Sequence, residues 1–205
     1  MNDPSPDAPQ RPTRGPSREL AILAAAAELV TEVGYDRVTL DAIAARAHAS
    51  KATMYRRWPS KAALVADALR RRADGGVTEP PDTGSLRGDL MLTVSAIAST
   101  FSAKVGGPSL LVLAEAIRLD APLRDTVRTQ IEERTRQDGL LILRRAVARG
   151  EAADDERGPA VVALAFAHLF LRSLLDGEPP GADDQQAFVD DLLLPLLTAS
   201  KGDQR

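Results

Sequence analysis

The chain has 205 residues, 26 Lys/Arg against 29 Asp/Glu for a formal net charge of −3, 44% hydrophobic and 3% aromatic residues, and no cysteine. That length holds one large domain or a small one joined to a medium one, and the apolar content supports a real core, which excludes global disorder. Lack of Cys excludes disulfides and thiol catalysis and fits a reducing compartment, while few aromatics beside abundant Ala and Leu favour packed helices over sheet.

Residues 1–16 carry five prolines and no apolar stretch, which reads as a flexible arm and not as a signal peptide. From Ser17 a helical pattern begins, with Leu20, Leu23/Ala24, Ala27 and Val30 as its inward stripe and Ile22, Ala26, Leu29 and Val33 beside it. Gly34 ends it as a C-terminal cap. Thr39 then caps the helix "TLDAIAARA", with Asp41 in its first turn and Leu40, Ile43, Ala44 and Ala47 inward. After the break "HAS", Ser50 caps a short helix from Lys51 to about Arg57, which Pro59 cannot continue. Ser60 caps a fourth helix, "KAALVADALRRR". The stretch "ADGGVTEPPDTGS" (Ala73 to Ser85) is the clearest linker. Five further helices are expected at about Leu86–Val105, Ser109–Leu119, Pro122–Arg149, Pro159–Leu175 and Asp184–Ser200. The expected class is all-α, about nine helices in total. It divides into an arm (1–16), a small front unit (17–76), a linker (77–85) and a larger back (86–201). No apolar run approaches the roughly 18 residues of a membrane span, so the expectation is a soluble, cytoplasmic protein without a membrane partner.

Charge is split unevenly. Residues 1–76 hold twelve Lys/Arg against nine Asp/Glu and residues 77–205 hold fourteen against twenty; from Arg37 to Lys61 the count is six basic to one acidic. A basic patch on an acidic body is either one face for a polyanion or a solvated helix face. The helix, three-residue break and helix within residues 39–58 have the helix-turn-helix layout. In "SKATMYRRWPSK" (50–61), Ala52 and Met54 are small or apolar and Trp58 ends the helix as an aromatic plug, which leaves Lys51, Thr53, Tyr55 and Arg56 as donors. The serines would put two helix N-termini, with Lys61 at the second, where phosphates can approach.

"GYDRVTLDAIAARAHASKATMYRRWPSKAALV" resembles the DNA-binding domain of TetR-family transcriptional regulators over about residues 18–70. The shared pattern is a Gly-aromatic pair, a capping Thr, "IA..A", Ser-x-x-Thr-x-Tyr, an aromatic, and Ser-Lys before the fourth helix. Two departures stand out: His48 stands where Gly is usual in the turn, and Ala52 replaces a frequent Gly. The resemblance implies that Thr39, Ser50 and Lys61 hold phosphates and that Lys51, Thr53, Tyr55 and Arg56 touch phosphate or base edges. Thr39 and Ser50 have a second reading as helix caps alone, and Tyr55 as a packing aromatic. Arg11, Arg14 and Arg18 either enter a minor groove or belong to a solvated tail.

The resemblance also implies a C-terminal ligand-binding and dimerising region. "AVVALAFAHLFLRSLL" is apolar almost all round, with His168, Arg172 and Asp176 as its polar stripe; "DDQQAFVDDLLLPLL" adds Phe188, Val189, Leu192, Leu193 and Leu196. The first must then be buried on more than one side, and two such helices suit a four-helix interface between two copies, with burial within one chain as the alternative. Glu115, Arg118, His168 and Arg172 are the candidate polar anchors for a small, largely hydrophobic effector, with a mutual Glu115–Arg118 ion pair as the alternative. With two histidines far apart and no carboxylate cluster around either, the sequence offers no catalytic residues, metal ligands or cofactor site. The expectation is a ligand-responsive repressor that binds a palindromic double-stranded DNA operator as a homodimer, and not an enzyme. An architectural DNA binder would need basic charge spread over the body, which is acidic here.

Overall fold

Every regular element is helical in the computed structural model of the chain, which describes residues 16–74, 79–102 and 110–198. Residues 1–15 of the expected arm, with Arg11 and Arg14, and residues 106–108 between two of the expected helices lie outside the described residues. The helices are α1 (Pro16–Val33), α2 (Leu40–Arg46), α3 (Lys51–Arg57), α4 (Lys61–Asp74), α5 (Leu86–Phe101), α6 (Leu110–Leu119), α7 (Ala121–Ala148), α8 (Arg157–Asp176), α9 (Ala182–Phe188) and α10 (Leu194–Thr198). A 3-10 turn (Tyr35–Arg37) joins α1 to α2, and a π-helical stretch (Val189–Leu193) makes α9 and α10 one interrupted helix. Counting that pair once, nine α-helices are present among the described residues. Pro195 accounts for the interruption: it has no N–H to donate and its ring collides with the carbonyl four residues back, so the chain widens by one residue before it.

Local chemistry sets the helix starts. The hydroxyls of Thr39, Ser50 and Ser60 accept from the backbone N–H of Ala42 (3.1 Å), Thr53 (3.2 Å) and Ala63 (3.1 Å), and Asp120 Oδ1 accepts from Leu123 N (2.7 Å). Each satisfies one of the donors that a helix N-terminus leaves unpaired. Gly34 ends α1 at φ 79°, a conformation open to glycine at little cost. His48 takes φ 49° in the turn before α3, so the turn keeps its left-handed residue without the usual glycine.

Two apolar cores form. The first joins Ile22, Ala26 and Val30 of α1, Tyr35, Val38, Ile43, Met54, Trp58, and Leu64, Val65 and Ala68 of α4 to Ala116 of α6 and Leu123 of α7. Of the expected α1 stripe, Leu23, Ala27 and Val30 are buried with the flanking Ile22, Ala26 and Leu29, whereas Leu20 is 42% exposed and Ala24 is exposed. The second core joins Leu86, Leu90 and Val94 of α5, Ile142, Leu143 and Ala146 of α7, Val161, Val162, Ala165 and Leu169 of α8, and Val189, Leu193 and Leu197 of the last helix. Here α7 and α8 cross so closely that a Cβ on Gly139 would lie 2.4 Å from the Gly158 carbonyl. Both partners are backbone, so only two glycines allow that approach.

The segment entering α5 is fastened to the turn between α7 and α8. Asp89, 0% exposed, accepts from the N–H and hydroxyl of Thr83 (both 2.7 Å) and from Arg149 Nη2 (2.9 Å). Burial alone would raise the Asp89 carboxyl, but these donors outweigh it and hold it below the usual carboxylate value. Arg149 also reaches Glu151 (2.7 Å) and Asp82 (3.1 Å), and Glu151 accepts from Leu86 N.

By length and composition α8 could cross a membrane, against the expectation that no run qualifies. Nor is it buried on more than one side within this chain. One face carries Val161, Val162, Ala165 and Leu169 into the core, while Leu164 (39%), Leu171 (53%) and Leu175 (72%) stay exposed. The last helix adds Leu192 (42%) and Leu196 (38%). The expected stripe Leu192–Leu193 thus divides: Leu193 is core at 0% exposure and Leu192 faces outward.

Candidate nucleic-acid interface

Seven residues are too few for a helix to be stable in water, so α3 depends on its inner side. Met54 is 1% and Trp58 5% exposed, both within the first core. The Trp58 indole N–H donates to Asp67 Oδ2 on α4 at 3.0 Å, and Arg70 pairs with the other oxygen at 2.6 Å. Burial alone would raise the Asp67 carboxyl; the Arg70 and Trp58 hydrogen bonds outweigh it and leave it below the ordinary value. On the outer side, Lys51, Ala52, Tyr55 and Arg56 are exposed, with Tyr55 at 56%. Thr53 is half-buried, its hydroxyl 2.8 Å from that of Ser50.

Most cations between Arg37 and Lys61 have partners inside the chain. Arg46 binds Glu32 (2.6 Å) and tethers α2 to α1; Arg57 binds Glu19 (3.1 Å) and tethers α3 to α1; Arg37 donates to the Val33 carbonyl (2.7 Å). Lys51 lies 2.7 Å from Asp41 of α2, whose hydrogen bond raises the Lys51 pKa. Lys61 is half-buried: its ammonium donates to the Tyr35 carbonyl at 3.1 Å and sits 4.1 Å from the Tyr35 ring centroid. Arg56 projects from the exposed side of α3. Thr39, Ser50, Lys51, Thr53, Tyr55 and Arg56 thus share one end of the front unit, and Lys61 stands beside them with its charge drawn inward. Two acidic residues of this neighbourhood were not singled out from sequence. In the sequence Asp41 is only a first-turn acid, and Asp120, which accepts from the Tyr35 hydroxyl at 2.9 Å, only a residue between two expected helices.

The four expected effector anchors do not converge. Glu115 and Arg118 pair with each other (2.8 Å), 55% and 67% exposed. Glu115 lines an open groove of about 380 Å³ with Val33–Arg37, Ala116 and Leu119. His168 stacks on Phe188 with centroids 4.1 Å apart, and Arg172 pairs with Asp176 at 2.8 Å. Burial, then the Arg172 charge, lowers the His168 pKa, so this ring is neutral at pH 7. Two residues either side of it, Phe166 and Phe170 stack at 6.3 Å and meet the edge of Phe101 at 5.5 and 5.8 Å. Among the described residues no group of three His, Cys, Asp or Glu could hold a metal.

Two family models match the chain: "Bacterial regulatory proteins, tetR family" over residues 22–68 and "Tetracyclin repressor-like, C-terminal domain" over residues 80–192. An uncharacterized HTH-type transcriptional regulator of Mycobacterium tuberculosis is 40% identical over 203 residues, 96% of each chain. A DNA-binding transcriptional repressor TetR of Mycobacteroides abscessus is 37% identical over 185 residues, 90% of this chain and 96% of that one. A solved TetR family transcription regulator, SCO0332, superposes with TM-score 0.66 at 28% identity, covering 86% of this chain and 97% of its own.

The Trp58–Asp67 bond gives α3 a pH dependence of known sign. A carboxyl held low in the fold stabilises it above the unfolded value of about 3.9, and that contribution is lost as pH falls through the lower folded value. Trp58 emission should therefore titrate below about pH 4. Asp67→Asn should remove that step and cost about 1–2 kcal/mol at neutral pH, read by fluorescence titration and urea unfolding.

Proposed function

The chain belongs to the TetR family of helix-turn-helix transcriptional regulators, DNA-binding proteins and not enzymes, and from that premise we propose a ligand-responsive repressor that binds a palindromic operator as a homodimer. The observation that carries the reading is the exposed side of α3, with Lys51, Tyr55 and Arg56 outward while Met54 and Trp58 anchor it. In this reading α3 enters the major groove, and Lys51, Thr53, Tyr55 and Arg56 meet base edges or phosphates. The hydroxyls of Thr39 and Ser50 accept from the backbone and still carry a proton for a phosphate oxygen. Lys61 keeps two N–H donors beyond the one given to Tyr35. To grip DNA, Lys51 exchanges Asp41 for the duplex, so Asp41 lowers affinity for any sequence that offers Lys51 no better partner.

A helix-turn-helix protein reads two half-sites about one turn apart, roughly 34 Å, only if two copies are held together. The face made by Leu164, Leu171, Leu175, Leu192 and Leu196 supplies the apolar surface for that pairing, and also explains the apolar surplus of α8. For the effector, the half-buried cluster of Phe101, Phe166 and Phe170 offers an apolar wall. His168 and Arg172 remain anchor candidates on α8, and Glu115 and Arg118 on α6. As a DNA-bound regulator the protein acts in the cytoplasm, beside the chromosome.

The test begins with an operator selected from genomic fragments by the purified protein. Lys51→Ala and Arg56→Ala should each cost about 1–3 kcal/mol and relax preference at one operator position; unchanged binding in both contradicts the role of α3. A compound that weakens operator binding should also shift Trp58 emission, and if every bundle-binding compound leaves operator affinity unchanged, the release step is wrong. For assembly, Leu171→Glu with Leu175→Glu should give a folded monomer by sedimentation and circular dichroism. Leu193→Glu should unfold the chain. A folded dimer from the first pair would place the interface elsewhere.

A further inference from the structure

Tyr35, 3% exposed, sits in the 3-10 turn between α1 and α2, where the front unit meets α6 and α7. Its ring lies 4.1 Å under the Lys61 ammonium and its carbonyl accepts from Lys61 Nζ at 3.1 Å. Its hydroxyl points the other way and donates to Asp120 Oδ2 at 2.9 Å, across 85 residues of sequence. Asp120 uses its other oxygen, Oδ1, to cap α7 at Leu123 N, 2.7 Å away. One chain of contacts thus runs from the first residue of α4 through Tyr35 to the first turn of α7.

We propose that Tyr35 and Asp120 are positioning residues for DNA binding. Together they form a relay that sets the N-terminus of α4 and its Lys61 against α7, so that a displacement of α7 is delivered to the DNA-facing end. The inference rests on the reading of that end as the phosphate-facing one. Its physical basis is direction. The apolar contacts of Ala116 and Leu123 at this seam tolerate sliding, since dispersion and water exclusion have little angular preference. A hydrogen bond from the phenol to a carboxylate does not, because tilting it leaves both of these part-buried groups poorly paired. Burial and the Asp120 carboxylate both push the Tyr35 phenol above its ordinary value, so it remains a donor at neutral pH. The caps add leverage: Asp120 is fixed to the α7 backbone, and Lys61 is the first residue of α4. Neither end of the relay can move without its helix.

Coupling between two sites is reciprocal, so the relay is testable without a known effector. Operator duplex is added to saturation to the full-length protein, and amide hydrogen exchange is followed over residues 119–127. In the native protein, operator should slow exchange there. Tyr35→Phe keeps the ring under Lys61 and removes only the hydroxyl; Asp120→Ser keeps a cap for α7 but is too short to reach Tyr35. Both variants should lose at least half of the operator-induced slowing and bind operator about 3- to 10-fold more weakly, the range expected for one hydrogen bond. If the operator-induced slowing and the affinity are unchanged in both, the relay is overturned. A purely structural role would also overturn it: exchange of the free protein would rise, yet the operator-induced difference would persist. If the native protein prefers no duplex over random sequence, the DNA-binding reading fails first and takes the relay with it.

Discussion

One helix belongs to two cores, and the rest of the structure is arranged around that fact. Helix α7 has 28 residues, about 42 Å at 1.5 Å per residue. Near its start Leu123 is buried with Ile43, Trp58 and Leu64 of the reading unit; toward its end Ile142, Leu143 and Ala146 are buried with α5, α8 and the last helix. At Gly139 it is pressed backbone to backbone on Gly158, so its far half cannot slide on α8 without opening the core. A rigid rod clamped at one end transmits displacement to the other. The reading unit is therefore not a bead on a string: α6 and α7 complete its own core.

Electrostatics shapes the end that carries α2 and α3 by subtraction. The sequence concentrates positive charge between Arg37 and Lys61, yet Glu32, Glu19, Asp41 and the Val33 and Tyr35 carbonyls engage most of it. Exposed ion pairs contribute little to stability, but they fix where each guanidinium points, and a protein that reads sequence gains from presenting few cations in set positions. The remainder of the chain is acidic, fourteen Lys/Arg against twenty Asp/Glu in residues 77–205, and in the proposed reading it keeps a duplex to the end that carries α3.

What was legible in the sequence was what local chemistry decides. Thr39, Ser50 and Ser60 announce helix starts because a hydroxyl there pairs with the N–H three residues on; Gly34 and Pro59 announce stops for equally local reasons. Together with helical periodicity these placed α1 to α9 within a few residues, and the Ser-x-x-Thr-x-Tyr pattern identified the family. What stayed hidden depends on partners distant in sequence. That Leu20 and Ala24 would lie outside the buried side of α1, while Leu23, Ala27 and Val30 lie within it, depends on where α4 lies. That Tyr35 lies beneath Lys61 and that its hydroxyl reaches Asp120 stayed hidden, because these partners are 26 and 85 positions apart. Leu192 and Leu193 read as one stripe, but a helix turns 100° between neighbours and the π-helical stretch before Pro195 shifts the register further. The candidate anchors followed polarity alone, and polarity does not tell a pocket from an ion pair such as Glu115–Arg118.

The central claim is that the reading unit and the bundle fold as one body through α7. Trp58 is the only tryptophan and is buried in the first core, so its fluorescence reports that core alone, while far-ultraviolet circular dichroism reports helices in both. Urea unfolding of the full-length protein followed by the two signals at one protein concentration tests the claim most directly. The account predicts a single transition, with the same midpoint and slope for both. A Trp58 transition complete at lower urea, with most of the helical signal surviving it, would contradict the account and make the two cores independent.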